Sequence, residues 1–255
     1  MKKYEGILIC TDYDGTFSNF GEIAPEDAKA VRYFQENGGL FTIASGRSPD
    51  FLWTKRDMFI PNAPVISING TMINAPDDMR TLAEFPLGDD VVDAACDLWE
   101  RLPAERISIY GADREGKFLL RSEVGSLRDL FASIPRPWYK ILFVQSYKVT
   151  PFVLEECKRL YGDRYAFDRS WPEGIELHAK NTGKGECLGF MREYIGIDGL
   201  KIVGVGDYEN DVSLLRMADI GYAVANATDA VKAAADRLTV SNVEHAIAAI
   251  IEELG

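Results

Sequence analysis

The sequence predicts an α/β fold, in which a doubly wound, Rossmann-like parallel sheet is interrupted by an inserted α+β domain. Short apolar runs without polar alternation, typical of parallel strands buried on both faces, alternate with helical patterns in the first third of the chain. This alternation stops between Pro76 and Pro86 and resumes about a hundred residues later. Because Pro and Gly residues bound the intervening block, we predict a core domain of residues 1–80 and 181–255 and an inserted domain of residues 81–180.

The first half of the predicted core consists of three strand and helix alternations. The first strand covers residues 6–11 and is followed by a helix that begins at Pro25, because Pro is favoured in the first turn of a helix. Asn37-Gly38-Gly39 ends that helix. The next predicted elements are a strand over 40–44, a short helix near Pro49 and a strand over 65–68.

The inserted domain and the second half of the core follow from the same reading of apolar periodicity. In the inserted domain we predict a helix over 88–101, two strands joined around 111–116, a further helix, a strand over 141–145, a helix from Pro151 and a strand over 175–178. In the returning core we predict a helix over 184–195, a strand over 202–205, a helix over 210–217, a strand over 220–224 and two closing helices.

Composition limits the class of protein. The chain has 255 residues, enough for one large or two modest domains that bury roughly 70–75% of the unfolded surface. Hydrophobic residues make up 47% and charged residues 27% of the chain, as in an ordinary soluble globular protein. The net charge of −12 opposes non-specific binding to nucleic acid or to an anionic membrane. We therefore expect a small-molecule partner, and composition does not indicate an oligomeric state.

Targeting and cysteine signals point to the cytoplasm. Met1-Lys2-Lys3 precedes an apolar stretch that is too short for a signal peptide, and no run approaches the length of a membrane span. The four cysteines show no Cys-x-x-Cys spacing, so they indicate neither a zinc site nor a disulfide framework. We expect a cytoplasmic protein whose buried cysteines are free thiols.

Two carboxylates stand directly after the first strand, in the segment Asp12-Tyr13-Asp14-Gly15-Thr16. Ligands of parallel sheets bind at the carboxyl ends of the strands, so this is a candidate reactive site. Asp12 and Asp14 would repel each other there unless a cation or a shared proton compensated. Gly15 would let the backbone turn sharply beyond them. Taken alone, the segment could equally be an ordinary Asp- and Gly-containing turn.

Two further polar segments follow other predicted strands and should share the same sheet edge. Ser45-Gly46-Arg47 comes after the second strand, and Gly206 to Asp211 follows a strand of the returning core. Asp207 and Asp211 lie four residues apart, so a starting helix would turn both toward one pocket. Several carboxylate oxygens of this kind suit Mg²⁺, which also retains waters and substrate phosphate oxygens.

Together these segments predict phosphoryl transfer. Lys184 at a predicted helix start favours an anion, and Ser45 with the Gly46 amide offers donors to phosphate oxygens. A carboxylate can act as a covalent nucleophile while a neighbouring acid transfers protons. Individually, Ser45-Gly46 could be a turn, Lys184 a surface lysine and the segment 206–211 a capped turn. Their joint occurrence at the ends of alternating strands favours a single site.

The same residues resemble the motifs of the haloacid dehalogenase superfamily, in its Cof-like branch of cap-bearing phosphatases. Residues 12–16 are similar to the first motif of that family, Ser45 to the second, Lys184 to the third and residues 206–211 to the fourth. Residues 223–227 also resemble a segment that follows the fourth motif. The inserted block would then correspond to the α/β cap of this branch. Ser-Gly-Arg replaces the commoner Thr-Gly-Arg, a small departure.

The resemblance implies a role for each matching residue. Asp12 would be the nucleophile, Asp14 the acid and base, and Ser45 and Lys184 the phosphate-holding catalytic residues. Mg²⁺ would be bound by Asp12, the backbone carbonyl of Asp14 and Asp207, with Asp211 in or next to the metal shell. Asn210 would lie near the phosphate, and Arg47 and Asn69 follow strands on the same edge. The expected substrate-binding residues are Gly15, Gly46, Arg47, Asn69 and Asn210.

The expected function is the Mg²⁺-dependent hydrolysis of a small phosphomonoester, of the sugar or cofactor phosphate class, through an aspartyl-phosphate. A phosphomutase acting on a phosphosugar would use the same residues but return the phosphoryl group to its substrate. A phospho-aspartate signalling protein is an alternative of another class. Signalling receivers carry their aspartate after a later strand and have no inserted domain, so the position of Asp12 argues against this alternative.

Overall fold

The computed structural model describes residues 2–19, 21–56 and 58–255. The chain divides into two compact units. Met1–Ala83 with Gly183–Gly255 forms the core unit, and Glu84–Thr182 forms the inserted unit. Each unit has its own hydrophobic core. The predicted fold class, an α/β parallel-sheet core with an inserted α+β domain, is confirmed.

Strands and helices alternate through the described residues. The strands are β1 (Ile7–Thr11), β2 (Leu40–Ile43), β3 (Val65–Ser67), β4 (Met72–Asn74), β5 (Thr81–Glu84), β6 (Arg106–Tyr110), β7 (Leu119–Leu120), β8 (Lys140–Val144), β9 (Tyr165–Asp168), β10 (Gly174–Ala179), β11 (Lys201–Gly206), β12 (Ile220–Ala223) and β13 (Arg237–Leu238). The helices are α1 (Pro25–Glu36), α2 (Pro49–Thr54), α3 (Val91–Arg101), α4 (Leu127–Ser133), α5 (Thr150–Tyr161), α6 (Leu188–Ile195), α7 (Val212–Met217), α8 (Asp229–Ala234) and α9 (Ala246–Glu253).

The main sheet of the core unit is parallel, with the strand order β13-β12-β11-β1-β2. Strand β1 lies between β11 and β2, and its residues Leu8, Ile9 and Cys10 are fully buried, as the unbroken apolar run predicts. A parallel bridge between Ala44 and Ile66 connects the end of β2 to β3, which belongs to the small sheet β3-β4-β5. The carboxyl ends of β1, β2 and β11 therefore lie side by side.

Helix α1 shows how sequence patterning is realised in the core. Pro25 occupies its first turn, Val31 and Phe34 are buried, and Asn37 ends it, as predicted. Helix α1 packs against α9, and the buried Asp27 accepts a hydrogen bond from the Ala248 N–H at 2.8 Å. This contact satisfies one of the amides that the start of α9 leaves without an intrahelical partner.

The region around Lys184 differs from the prediction. The expected helix over 184–195 begins only at Leu188, and Lys184 lies in a turn rather than at a helix N-terminus. Gly185 is packed so closely against α7 that an added Cβ would lie 2.3 Å from the Ser213 carbonyl oxygen. The Gly185 N–H also donates to Ser213 Oγ at 3.0 Å. These contacts hold the segment in a turn and delay the helix.

The inserted unit contains an antiparallel sheet with the strand order β7-β6-β8-β10-β9. Alternate residues of its strands, such as Ile109, Phe143 and Leu177, enter the hydrophobic core of the unit. The prediction missed β9, and the described residues also show β4 and β5, which lie in the stretch where the alternation stops.

All four cysteines are free thiols, as predicted, and Cys96 differs from the others because it is only partly buried. Among the described residues, no helix is both long enough and apolar enough to cross a membrane.

Candidate active site

The predicted site residues of the core sheet converge because three neighbouring strands end together. Asp12 follows β1, and its N–H donates to the Val205 carbonyl of β11 at 2.8 Å. Ala44, the residue before Ser45, donates its N–H to the Thr11 carbonyl of β1, also at 2.8 Å. These hydrogen bonds continue the parallel pairing past the last strand residues. Asp12 and Ser45 therefore begin their loops from one rigid edge.

Lys184 is the centre of the buried part of the site. Its side chain is 0% exposed, and Nζ donates to Asp12 Oδ1 and to Asp211 Oδ1, both at 2.6 Å. Burial acts to lower the pKa of Lys184, but the two carboxylates together raise it above its ordinary value. Lys184 therefore stays charged and holds a permanent positive charge against the carboxylate of Asp12.

Three carboxylates share this region. Asp12, Asp207 and Asp211 each offer an oxygen atom, and these atoms lie within 4.8 Å of one another. Burial raises the pKa of Asp12, and burial followed by the charge of Asp211 raises the pKa of Asp207 to about 6. The cause is that three negative charges face the single positive charge of Lys184. Hard oxygen donors with excess negative charge fit a divalent cation such as Mg²⁺.

Asp211 differs from the other two carboxylates because protein donors already occupy both of its oxygens. Oδ1 accepts from Lys184, and Oδ2 accepts from the N–H groups of Asp207 and Tyr208 at 3.0 and 3.1 Å. Gly206 permits this tight turn, because an added Cβ would lie 2.3 Å from the Asp211 Cβ. The geometry thus makes Asp211 an organiser of the loop that carries Asp207.

Asp14 lies on the exposed side of the site and is held by Arg47. The Arg47 guanidinium donates from Nε to Asp14 Oδ2 at 2.8 Å and from Nη2 to Oδ1 at 3.0 Å. Both side chains are roughly half exposed, and the guanidinium also lies over the Phe51 ring, 4.6 Å from its centroid. Arg47 is therefore placed at the mouth of the site, where it holds both oxygens of Asp14.

Ser45, Gly46, Asn69 and Asn210 form a polar group beside these charges. Asn69 has the left-handed φ of 54°, its N–H donates to the Ser45 carbonyl at 3.0 Å, and its Oδ1 accepts from Asn210 Nδ2 at 3.2 Å. A side chain at Gly46 would lie 2.9 Å from Asn69 Oδ1. Ser45 Oγ accepts from the Arg47 N–H at 3.1 Å. The structure therefore brings the predicted phosphate-contacting residues into one buried group.

Two residues near the site received no role from sequence reasoning. The Thr16 hydroxyl donates to Asp207 Oδ1 at 2.8 Å, and Asn226 Nδ2 donates to the Gly15 carbonyl at 2.8 Å. Thr16 belongs to the first motif and Asn226 to the segment 223–227, so the motif positions were a signal for both. Gly15 has a φ of +87°, and an added Cβ would lie 2.6 Å from Asp207 Oδ2, so the residue brings the first and fourth motifs into close approach.

Comparison with known proteins identifies the family. The family described as haloacid dehalogenase-like hydrolases matches residues 9–251. The chain is 26% identical to the 5-amino-6-(5-phospho-D-ribitylamino)uracil phosphatase YcsE of Bacillus subtilis (strain 168), over 96% of this chain and 94% of that protein. It is 28% identical to the phosphoglycolate phosphatase of Methanopyrus kandleri, over 90% of this chain and 88% of that protein.

Solved structures of the same family share the fold. A haloacid dehalogenase-like hydrolase from Bacteroides thetaiotaomicron is 26% identical and superposes with a TM-score of 0.75, covering 99% of this chain and 100% of that one. A haloacid dehalogenase-like hydrolase from B. subtilis, 22% identical, has a TM-score of 0.81 over 97% of this chain and 99% of its own. The predicted resemblance is confirmed: the chain belongs to the haloacid dehalogenase-like hydrolase family and is a phosphatase of that type.

Proposed function

We propose that this phosphatase hydrolyses a small phosphomonoester in the presence of Mg²⁺, with Asp12 as the nucleophile that carries the phosphoryl group. The observation that carries the proposal is the buried carboxylate of Asp12 at the end of β1, held by Lys184 and flanked by Asp207. Burial keeps water from solvating the nucleophile, and Lys184 offers positive charge where a phosphate dianion would enter.

In the first step, an oxygen of Asp12 attacks phosphorus and forms an acyl phosphate as the bond to the ester oxygen breaks. Asp14 gives its proton to the leaving ester oxygen, so the organic product departs as an alcohol. In the second step, Asp14 takes a proton from a water molecule that attacks the acyl phosphate. This attack regenerates the Asp12 carboxylate and releases inorganic phosphate.

Ser45, Lys184 and the amide of Gly46 support the phosphoryl oxygens in this proposal. Arg47 has a second task, because it holds both oxygens of Asp14 in this structure. An incoming phosphate competes with Asp14 for the same guanidinium. Substrate binding would therefore free Asp14 for proton transfer.

Asp12, Asp207 and the backbone carbonyl of Asp14 are the proposed ligands of Mg²⁺, with Asp211 next to them. The excess of carboxylates over positive charge supports this assignment. When bound, the ion would neutralise charge on the phosphate and on Asp12. The hydrogen bonds of Asp211 support its place outside the ligand set, since both of its oxygens accept from protein donors.

The substrate class is proposed from the relatives. By name, one acts on a phosphorylated ribitylaminouracil and another on phosphoglycolate, which are both small phosphomonoesters. We propose a sugar or cofactor phosphate of similar size for this chain. We further propose that the inserted unit selects among such substrates, because the predicted catalytic residues all lie in the core unit.

The test is phosphate release from p-nitrophenyl phosphate and from a panel of phosphosugars, phosphoglycolate and phosphorylated cofactor precursors. Activity should require Mg²⁺, and it should stop with a chelator and return when Mg²⁺ is restored. Equal activity after thorough chelation would refute the metal requirement. Conversion of a phosphosugar into an isomer without phosphate release would identify a phosphomutase instead.

A further inference from the structure

Thr16 is almost fully buried, and its hydroxyl is directed at one oxygen of a carboxylate in the site. The residue is 1% exposed, and Oγ1 donates to Asp207 Oδ1 at 2.8 Å. The two residues are 191 positions apart in the sequence, so tertiary structure alone brings them together. A hydroxyl that donates to a carboxylate forms a charge-assisted hydrogen bond, which is shorter and stronger than a neutral one.

The backbone of Asp207 is held on both sides. Its N–H donates to Asp211 Oδ2 at 3.0 Å, and its carbonyl accepts from the Thr228 N–H at 3.0 Å. These bonds fix the position of the residue, but they leave the carboxylate free to rotate about its Cβ–Cγ bond. That last torsion is broad for an aspartate, and no staggered well restricts it. The Thr16 hydroxyl is the contact that restrains it.

We propose that Thr16 is a positioning residue that orients the Asp207 carboxylate for the metal ion. The inference rests on the proposed function, because it takes Asp207 as a ligand of Mg²⁺. Thr16 Oγ1 binds Oδ1, and Oδ2 lies beside Gly15, where the absence of a side chain leaves space. Ligands whose remaining lone pairs are hydrogen-bonded are held in the productive orientation, and loss of such a partner typically weakens metal binding.

The experiment measures binding of Mn²⁺, used as a spectroscopic substitute for Mg²⁺, by the decrease of the free-ion electron paramagnetic resonance signal. Thr16→Val preserves shape and removes the hydroxyl, and we expect it to weaken binding by roughly 10-fold to 100-fold. Thr16→Ser keeps the hydroxyl and should bind Mn²⁺ nearly as well as the natural protein. Thr16→Ala provides a second variant without the hydroxyl, should the buried Val disturb folding.

Thr42→Val is the matched control. Thr42 is fully buried, and its hydroxyl donates to the Pro64 carbonyl at 2.6 Å rather than to a carboxylate. This variant should lose stability without losing affinity for Mn²⁺. A general packing effect would instead weaken Mn²⁺ binding equally in the Thr42 and Thr16 variants, and that result would overturn the proposal.

Phosphatase assays separate this proposal from the proposed function. Thr16→Val should need more Mg²⁺ for half-maximal activity and recover most of its maximal rate when Mg²⁺ is saturating. Undiminished Mn²⁺ affinity in Thr16→Val and Thr16→Ala would refute the positioning role, even if the natural protein is an active phosphatase. If the natural protein shows no hydrolysis while Thr16→Val binds Mn²⁺ weakly, the positioning role stands and the proposed function fails.

Discussion

The core unit and the inserted unit each bury a lysine against carboxylates, but the charge around the two lysines differs. Lys184 of the core unit meets Asp12 and Asp211, with Asp207 close by. Lys140 of the inserted unit meets Glu176 at 3.0 Å, across neighbouring antiparallel strands. The first group carries excess negative charge, and the second is a pair without net charge.

This difference indicates which buried charges serve a ligand. A buried ion pair costs desolvation, and replacing a whole pair with apolar residues is often neutral or even stabilising. The Lys140–Glu176 pair is therefore satisfied within the protein. Around Lys184, by contrast, burial raises the pKa of Asp12 and Asp207, since the carboxylates lack enough positive charge. A deficit of this kind is relieved by a cation or a proton.

The largest expected effect is on catalysis at the group with excess charge. Asp12→Asn removes the nucleophile at nearly constant shape, so hydrolysis of p-nitrophenyl phosphate should fall by roughly 10⁴–10⁶-fold. Asp14→Asn should lose roughly 10²–10⁴-fold, because it loses only proton transfer. Intact-mass measurement of quenched Asp14→Asn should show a phosphoryl group on the peptide that contains Asp12. Label on another residue, or equal label in Asp12→Asn, would contradict the assignment.

The second prediction compares the two lysines by stability. Lys184→Met and Lys140→Met each leave buried carboxylates without their ammonium, so each should lose about 3–5 kcal/mol of unfolding free energy. Added Mg²⁺ should restore part of the loss in Lys184→Met and none in Lys140→Met. Urea denaturation with Mg²⁺ and with chelator measures the difference. The double variant Lys140→Met/Glu176→Leu should return close to the natural stability, and an equal response to Mg²⁺ in both single variants would refute the comparison.

The third prediction concerns pH in metal-free protein. Because the pKa of Asp207 is raised to about 6, its contribution to stability is fully present below the unfolded pKa of about 4 and is lost as pH rises through about 6. The loss between pH 4 and 7 should reach roughly 3 kcal/mol as an upper bound. Asp207→Asn should remove most of this slope. Chelated natural protein and variant that show the same pH dependence of urea midpoints would contradict it.

The smallest expected effect has the opposite sign and lies in the inserted unit. The hydrogen bond from Tyr165, together with Arg164, lowers the pKa of Asp90. Its contribution is therefore present above the ordinary carboxyl pKa and is lost as pH falls below it. Asp90 is largely exposed, so Asp90→Asn should lose less than about 1 kcal/mol at neutral pH. The difference from the natural protein should shrink at pH 3 in denaturation curves, and a difference that persists there would exclude this origin.

The sequence by itself determined the architecture and the location of the chemistry. Unbroken apolar runs predict buried parallel strands, and parallel strands place their carboxyl ends on one edge. Asp12, Ser45 and Asp207 could therefore be assigned to one site without coordinates. The inserted domain was also predicted, because a change in strand and helix alternation is visible in the residue pattern.

Only the tertiary structure decided which atoms of those residues meet. The partners of Lys184 lie 172 and 27 residues away, and the turn that carries Lys184 depends on close packing of Gly185 against α7. The Arg47 to Asp14 pair and the hydrogen bond from Thr16 to Asp207 likewise join distant segments. Local propensity and periodicity specify elements and their ends. Side-chain contacts between loops depend on the final packing of the chain, and the order of residues along one strand does not encode them.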